Sequence, residues 1–157
     1  MPSGSSIATS NGNRMVNFLL ITHGEFGAYL LEAAEEIVGR QREGVRVVSI
    51  SPRLSIEEIK RRAGEALRAV YNEKSGLVVV TDIIGGTPTN VVLPLVRDLP
   101  NVSVITGLNL YMLISAFARR KTGDHRQVAA DMLQAGQRSI QDVGKKFSSH
   151  AHSARPN

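Results

Sequence analysis

No cysteine occurs among the 157 residues, which removes thiol nucleophiles, thiolate metal sites, iron–sulfur clusters and disulfides and favours an intracellular compartment over a secreted one. Tryptophan is absent too, and aromatic residues make up only 4%, so stacking platforms for single-stranded nucleic acid are poorly supplied. No apolar run is long enough to span a bilayer, and the first residues lack the apolar stretch of a signal peptide. Direct membrane insertion is therefore not expected, and the chain is read as soluble and cytoplasmic. What is present is an ordinary globular balance, 42% hydrophobic and 21% charged. A chain of this length suits one domain whose core needs no covalent or metal staple.

The net charge of +5 and the pI near 10.0 suggest nucleic acid until the charge is located. Residues 1–118 carry 11 basic and 11 acidic groups, while residues 119–157 carry 8 and 3. The excess belongs to the C-terminal end, where a basic stretch reads as a solvated end or a protein-docking rim. No nucleic-acid partner is expected.

Residues 1–14 are rich in Ser, Gly, Asn and Thr and cannot bury enough to order themselves. They are read as a tail, and Met15 directly after it can serve as the original start. Residues 148–157 are read as a second tail, which leaves residues 15–147 as the domain. Between the tails, Val16–Ile21, Val45–Ile50, Leu77–Thr81 and Val102–Thr106 are nearly continuous apolar runs, the pattern of strands buried on both faces of a parallel sheet. The intervening segments read as helices. Ser55 with Glu58 forms a capping box for a helix to about Asn72, Thr87 and Pro88 serve as N-cap and first helical residue of the next, and Leu110–Arg120 has helical content. Asp124 with Gln127 starts a helix to about Ala135. The alternation predicts a doubly wound α/β fold. Gln137–Val143 reads locally as helix.

In an open α/β sheet the ligand crevice lies beyond the carboxyl ends of the strands. Three ends carry residues that call for explanation: Thr22-His23-Gly24-Glu25, Asp82 through Pro88, and Gly107-Leu108-Asn109. His23 is the one His placed inside the regular core, since His125 falls in a predicted loop and His150 and His152 in the tail. A lone His is as often structural as functional, but Gly24 lets the chain turn away and leaves space over the ring. Asp82 would lie beside His23 if the first and third strands are neighbours. A carboxylate that accepts from Nδ1 would leave Nε2 as an outward nucleophile, whereas the plain alternative for Asp82 is turn capping. Gly85-Gly86-Thr87-Pro88 can aim N–H groups at one spot at a helix N-terminus, an anion site; the plain alternative is a tight turn. The loop has no Lys, so it is no Walker loop, and it does not match the dinucleotide Gly pattern. No G-x-S-x-G elbow and no His pair at metal-ligand spacing occurs in the domain. Neither a metal nor a cofactor is expected. A nucleophilic imidazole, an orienting carboxylate and a backbone anion cradle together suit a His that receives a phosphoryl group and passes it on.

Ile21-Thr22-His23-Gly24, Thr81 through Asn90 and Thr106 through Leu113 closely resemble the three signature segments of the IIA component of the mannose class of bacterial phosphoenolpyruvate-dependent sugar phosphotransferase systems. The likeness runs from about Met15 to Val143. It implies that His23 is phosphorylated by the phosphocarrier protein HPr and donates to a IIB protein, with Asp82 orienting the ring and Thr22, Gly85, Gly86 and Thr87 around the phosphoryl group. It also implies a homodimer with strand order 2-1-3-4, completed by an antiparallel C-terminal strand exchanged between subunits, which would make Gln137–Val143 a strand. The chain is expected to be a free-standing IIA unit. A regulatory module whose phosphorylation state is read by a partner without onward transfer would share the same site. The IIA-like domain of the dihydroxyacetone kinase phosphotransferase is a further relative, less close over Thr22 to Gly27.

Overall fold

The computed structural model describes residues 14–147; nearly all of the first tail and all of the second lie outside them. The elements are β1 (Asn17–His23), α1 (Phe26–Val38), β2 (Val45–Ile50), α2 (Ile56–Val70), β3 (Leu77–Thr81), α3 (Thr87–Val96), β4 (Val102–Thr106), α4 (Leu110–Arg119) and α5 (His125–Ser139). The four strands form one parallel sheet in the order β2-β1-β3-β4. This is the α/β architecture and the strand order expected.

Strand alternation explains why the apolar runs are continuous, because both faces are covered. Phe18 and Leu20 of β1 face the core shared with α1, α4 and α5, where Ala34, Leu113, Phe117 and Met132 are buried. Leu19 and Ile21 face the opposite core, shared with Ile59, Ala63 and Leu67 of α2 and Val91, Val92 and Val96 of α3. Continuing the alternation puts Thr22 on the α1 side and His23 on the α2 and α3 side.

Local sequence signals place most helix starts. Ser55 Oγ accepts from Glu58 N–H at 3.2 Å, Asn109 Oδ1 from Met112 N–H at 3.1 Å, and Asp124 Oδ1 from the N–H groups of Arg126 and Gln127, both at 2.9 Å. The expected N-cap at Thr87 is off by one residue. Gly86 is the N-cap and Thr87 is already helical, because the turn through Gly85, with φ at +73°, brings the chain into the helix one residue early. His125 is not in a loop: it opens α5, is buried, and its Nδ1 lies 2.8 Å from Ser103 Oγ on β4.

Gln137–Val143 is not a strand. Gln137–Ser139 complete α5, residues 140–142 are irregular and 143–147 are helical. A strand needs the backbone of a neighbouring edge, and here the apolar side chains Ile140 and Val143 project into solvent. Without such an edge the local preference decides, and Asp142 caps the last turn by accepting from Lys145 N–H.

Candidate functional site

The register sets the carboxyl ends of β1 and β3 side by side, with Ile21 opposite Thr81. The next residues, Thr22-His23 and Asp82, therefore meet. Asp82 Oδ2 accepts from the backbone N–H of His23 at 2.9 Å and lies 2.9 Å from His23 Nδ1, while Oδ1 accepts from Ile83 N–H at 2.9 Å. One carboxylate thus grips both the main chain and the ring of its neighbour. Burial pushes the Asp82 carboxyl up, but the N–H and ring of His23 and the N–H of Ile83 outweigh it and hold the group below the ordinary carboxylate value. Asp82 is an acceptor throughout the neutral range. It fixes the tautomer in which Nδ1 carries the proton, leaving Nε2 as the free ring nitrogen. The His23 side chain is 48% exposed against 9% for Asp82, so the ring is open to solvent and the carboxylate beside it is largely shielded.

Two glycines shape the space around the ring. Gly24, with φ at +52°, turns the chain away and leaves open space where a Cβ would sit; a Cβ on Gly86 would come within 3.1 Å of His23 Cε1. The cradle loop therefore approaches the ring too closely for a side chain at this position to fit without displacing it. Its N–H groups divide: Gly86 N–H makes a long 3.4 Å bond to Ile83 O within the turn, whereas those of Thr87 and Thr89 in the first turn of α3 have no acceptor among the described residues. They are the unsatisfied donors every helix start presents to an anion.

The loop is braced from beneath by residues that sequence reasoning did not single out for this role. Thr89 Oγ1 donates to Ile83 O at 2.9 Å and lies 2.7 Å from Thr81 Oγ1, and Asn90 Nδ2 donates to Gly85 O at 3.0 Å. From the β4 side, Gly107 N–H donates to Asp82 O and Leu108 N–H to Thr81 O. The signal for Thr89 and Asn90 was their spacing, a Thr and an Asn three and four residues after the N-cap, able to reach back over the preceding turn.

Thr22 does not belong to the cradle. It is fully buried, and its Oγ1 accepts from Gly27 N–H at 2.8 Å. It caps α1 from the end of β1, in place of Glu25, whose side chain makes no capping bond. Gly27 is required for this: a Cβ there would sit 2.9 Å from Thr22 Oγ1. Exposed Phe26, Ile83 and Ile84 follow the site residues in the chain. Among the described residues no group of three or more His, Asp or Glu side chains could hold a metal ion, and no helix is long and apolar enough to cross a membrane.

The family model described as "PTS system fructose IIA component" matches residues 17–134. The chain is 24% identical over 127 residues to the fructose-specific EIIA component of Bacillus subtilis, covering 81% of this chain and 86% of that one. It is 27% identical over 126 residues to the mannose-specific EIIAB component of Escherichia coli. That match takes in 80% of this chain but 38% of the relative, so the chain corresponds to well under half of the EIIAB protein. Among solved structures, the EIIA component from Streptococcus agalactiae superposes with a TM-score of 0.73 at 28% identity, covering 83% of this chain and 99% of that one. The mannose/sorbose-specific IIA subunit from Enterococcus faecalis gives 0.72 at 26%, with 82% and 94% covered. With most of the domain matched by the family model, the chain belongs to the mannose-class IIA components of the sugar phosphotransferase system.

Proposed function

We propose that the protein is a phosphocarrier in which His23 Nε2 takes a phosphoryl group from phosphorylated HPr and passes it to a IIB protein, in the cytoplasm. The observation that carries this reading is the pairing of a largely shielded carboxylate on Nδ1 at 2.9 Å with an imidazole whose side chain is 48% exposed. In the first transfer the Nε2 lone pair attacks phosphorus, the Nε2–P bond forms and the donor's P–N bond breaks, its electron pair returning to the donor ring. The charge developing on His23 is stabilised by Asp82, which keeps the Nδ1 proton on the ring. The equatorial oxygens gain from the free N–H groups of Thr87 and Thr89 and the positive end of α3, with Gly85 and Gly86 setting the distance. Transfer onward to IIB reverses these steps against the new acceptor. The half-open ring suits exchange between two proteins, because either partner's reacting group must reach Nε2 directly. Exposed Phe26, Ile83 and Ile84 offer such partners apolar contact area.

The test is the chemistry of the label. After incubation with phosphorylated HPr, the expected product is acid-labile and alkali-stable, and His23→Ala abolishes it while circular dichroism stays native. Alkali-labile label would move the acceptor to Asp82 and overturn the mechanism. Adding a IIB protein should remove the label promptly; retention would indicate a module whose state is read rather than relayed.

The same reading includes a homodimer. Among the described residues β4 is an edge strand with no partner on its outer side, and beside it Leu93, Val96, Leu99, Val102 and Val104 line a groove of about 390 Å³. The exposed apolar residues Ile140, Val143 and Phe147 are suited to fill the equivalent groove of a second copy.

A further inference from the structure

At the end of the sheet opposite His23, the connection after α1, Met15 before β1 and the corner after α4 enclose an open cavity of about 480 Å³. Its wall carries four cationic side chains, Arg40, Arg42, Arg120 and Lys121, against the single carboxylate of Glu43. Arg120 is only 1% exposed. Its guanidinium donates from Nε to Val16 O at 3.1 Å, from Nη1 to Gln41 Oε1 at 2.9 Å and from Nη2 to Glu43 O at 3.0 Å, and it lies 5.3 Å from the centre of the Phe18 ring. Every one of these acceptors is neutral. Among the described residues no carboxylate is within ion-pair distance of Arg120, and Arg40, Arg42 and Lys121 enter neither an ion pair nor a side-chain hydrogen bond.

A buried cation without a counter-charge is costly. Burial draws Arg120 down to about 10, against the pull of Glu43, so at neutral pH it still holds its proton and its charge. Three of its five N–H donors are used and two are left. The cavity wall is therefore electron-poor in a way the fold itself does not correct. Met15, Val38 and Phe117 line the rest, an apolar surface of no use to a bare inorganic ion. The volume lies in the range of small-molecule sites and exceeds what a lone phosphate would fill.

We infer that this basal cavity binds a small phosphorylated organic ligand, a phosphate monoester whose dianion is held by the exposed Arg40, Arg42 and Lys121, with the buried Arg120 adding its charge from behind the wall, while its carbon skeleton lies on Met15, Val38 and Phe117. Arginine forks match phosphate oxygens two at a time, and a wall with four cations and one anion favours a doubly charged group over a single carboxylate. The site is distinct from the phosphoryl cradle: the seven residues of β1 separate the two ends of the sheet by about 20 Å. The ligand would tie together the start of β1, the connection leading into β2 and the corner between α4 and α5, which are the three segments that Arg120 already joins.

Isothermal titration of the full chain tests this with glucose 6-phosphate as the probe and with inorganic phosphate and glucose as comparisons. Saturable binding of the hexose phosphate is expected, with weaker binding of phosphate and none of glucose. The double variant Arg40→Gln, Arg42→Gln alters two exposed side chains and should fold normally. It should weaken binding at least about tenfold, as loss of charge-assisted contacts to phosphate does. His23→Ala should bind as the wild type does, which separates this cavity from the cradle and makes the outcome independent of the relay. Absence of saturable binding at millimolar probe, equal affinity in the double variant, loss of binding in His23→Ala, or phosphate binding as tightly as the ester would each overturn the assignment.

Discussion

At the scale of single residues, one hydrogen-bonded pair carries the proposed chemistry, and its two members are given different work. In the proposed relay His23 supplies the nucleophile and Asp82 its orientation. Asp82→Asn keeps the shape, but an amide cannot balance a cationic ring, and because one atom, Oδ2, serves both the His23 main chain and Nδ1, an amide turned to present its NH2 to Nδ1 selects the other tautomer and gives up the main-chain bond. The expected result is a folded protein whose single-turnover phosphorylation by HPr is slower by about ten- to a hundredfold, the equivalent of one charge-assisted hydrogen bond at about 1.5–3 kcal/mol. Unchanged transfer would show that the carboxylate serves only the turn. Both residues were readable because each ends an apolar run, where polar side chains in a parallel sheet need a reason. Thr22 stands in the same place and was assigned to the phosphoryl group, yet it caps α1. The difference is one step of strand alternation, which decides the face a side chain takes, and a position at a strand end does not reveal that face. Arg120 was counted with a solvated basic end. Its acceptors, Val16, Gln41 and Glu43, lie 104, 79 and 77 residues away, beyond the reach of any local pattern.

At the scale of elements, the strands were recovered nearly residue for residue because double-sided burial writes itself as continuous Val, Ile and Leu. Helix starts were recovered where a side chain caps them, as at Ser55 and Asp124, and missed by one residue where a positive-φ glycine does the turning. Thr22 links an element to the site, since the hydroxyl that caps α1 sits next to His23. Thr22→Val should therefore cost about 1 kcal/mol, the usual value of a lost N-cap, and lower the melting temperature by about 2–4 °C; a melt identical to wild type would deny the capping role. His125 gives α5 a pH dependence. Burial lowers its value from 6.5, against the pull of Asp124, so the unfolded chain binds the proton more readily than the folded one. The contribution is whole above pH 6.5 and is lost as the pH falls through that value toward the folded one. The melting temperature should fall between pH 7.5 and 5.5, and His125→Gln, which can still hydrogen-bond Ser103, should reduce that fall. An equal fall in both proteins would assign the dependence to other groups.

At the scale of the whole molecule, the sheet is covered on both faces but, among the described residues, no strand pairs either of its edges. Local pattern predicted the alternation of strands and helices, while the order 2-1-3-4 came through the family likeness, since nothing in a strand's own composition names its neighbour. The C-terminal segment shows the limit from the other side: within one chain it completes α5 and a short helical turn, and a strand there would need a second chain. The β4 edge has an apolar groove next to it, and Ile140 and Phe147 are 83% and 78% exposed, an expensive arrangement for a chain that stays alone. A closed two-fold pairing that covers both features at once is the economical solution. Light scattering at micromolar concentration should accordingly give twice the 17.0 kDa of one chain. Val143→Asp, placing a charge where the pairing would be dry, should shift the protein toward monomer. Because His23, Asp82 and the α3 cradle all come from one chain, the monomeric variant should still accept phosphoryl from HPr. A wild-type monomer at micromolar concentration would defeat the dimer and leave the mechanism at His23 untouched, whereas loss of phosphorylation in a folded Val143→Asp monomer would mean that the second copy shapes the site.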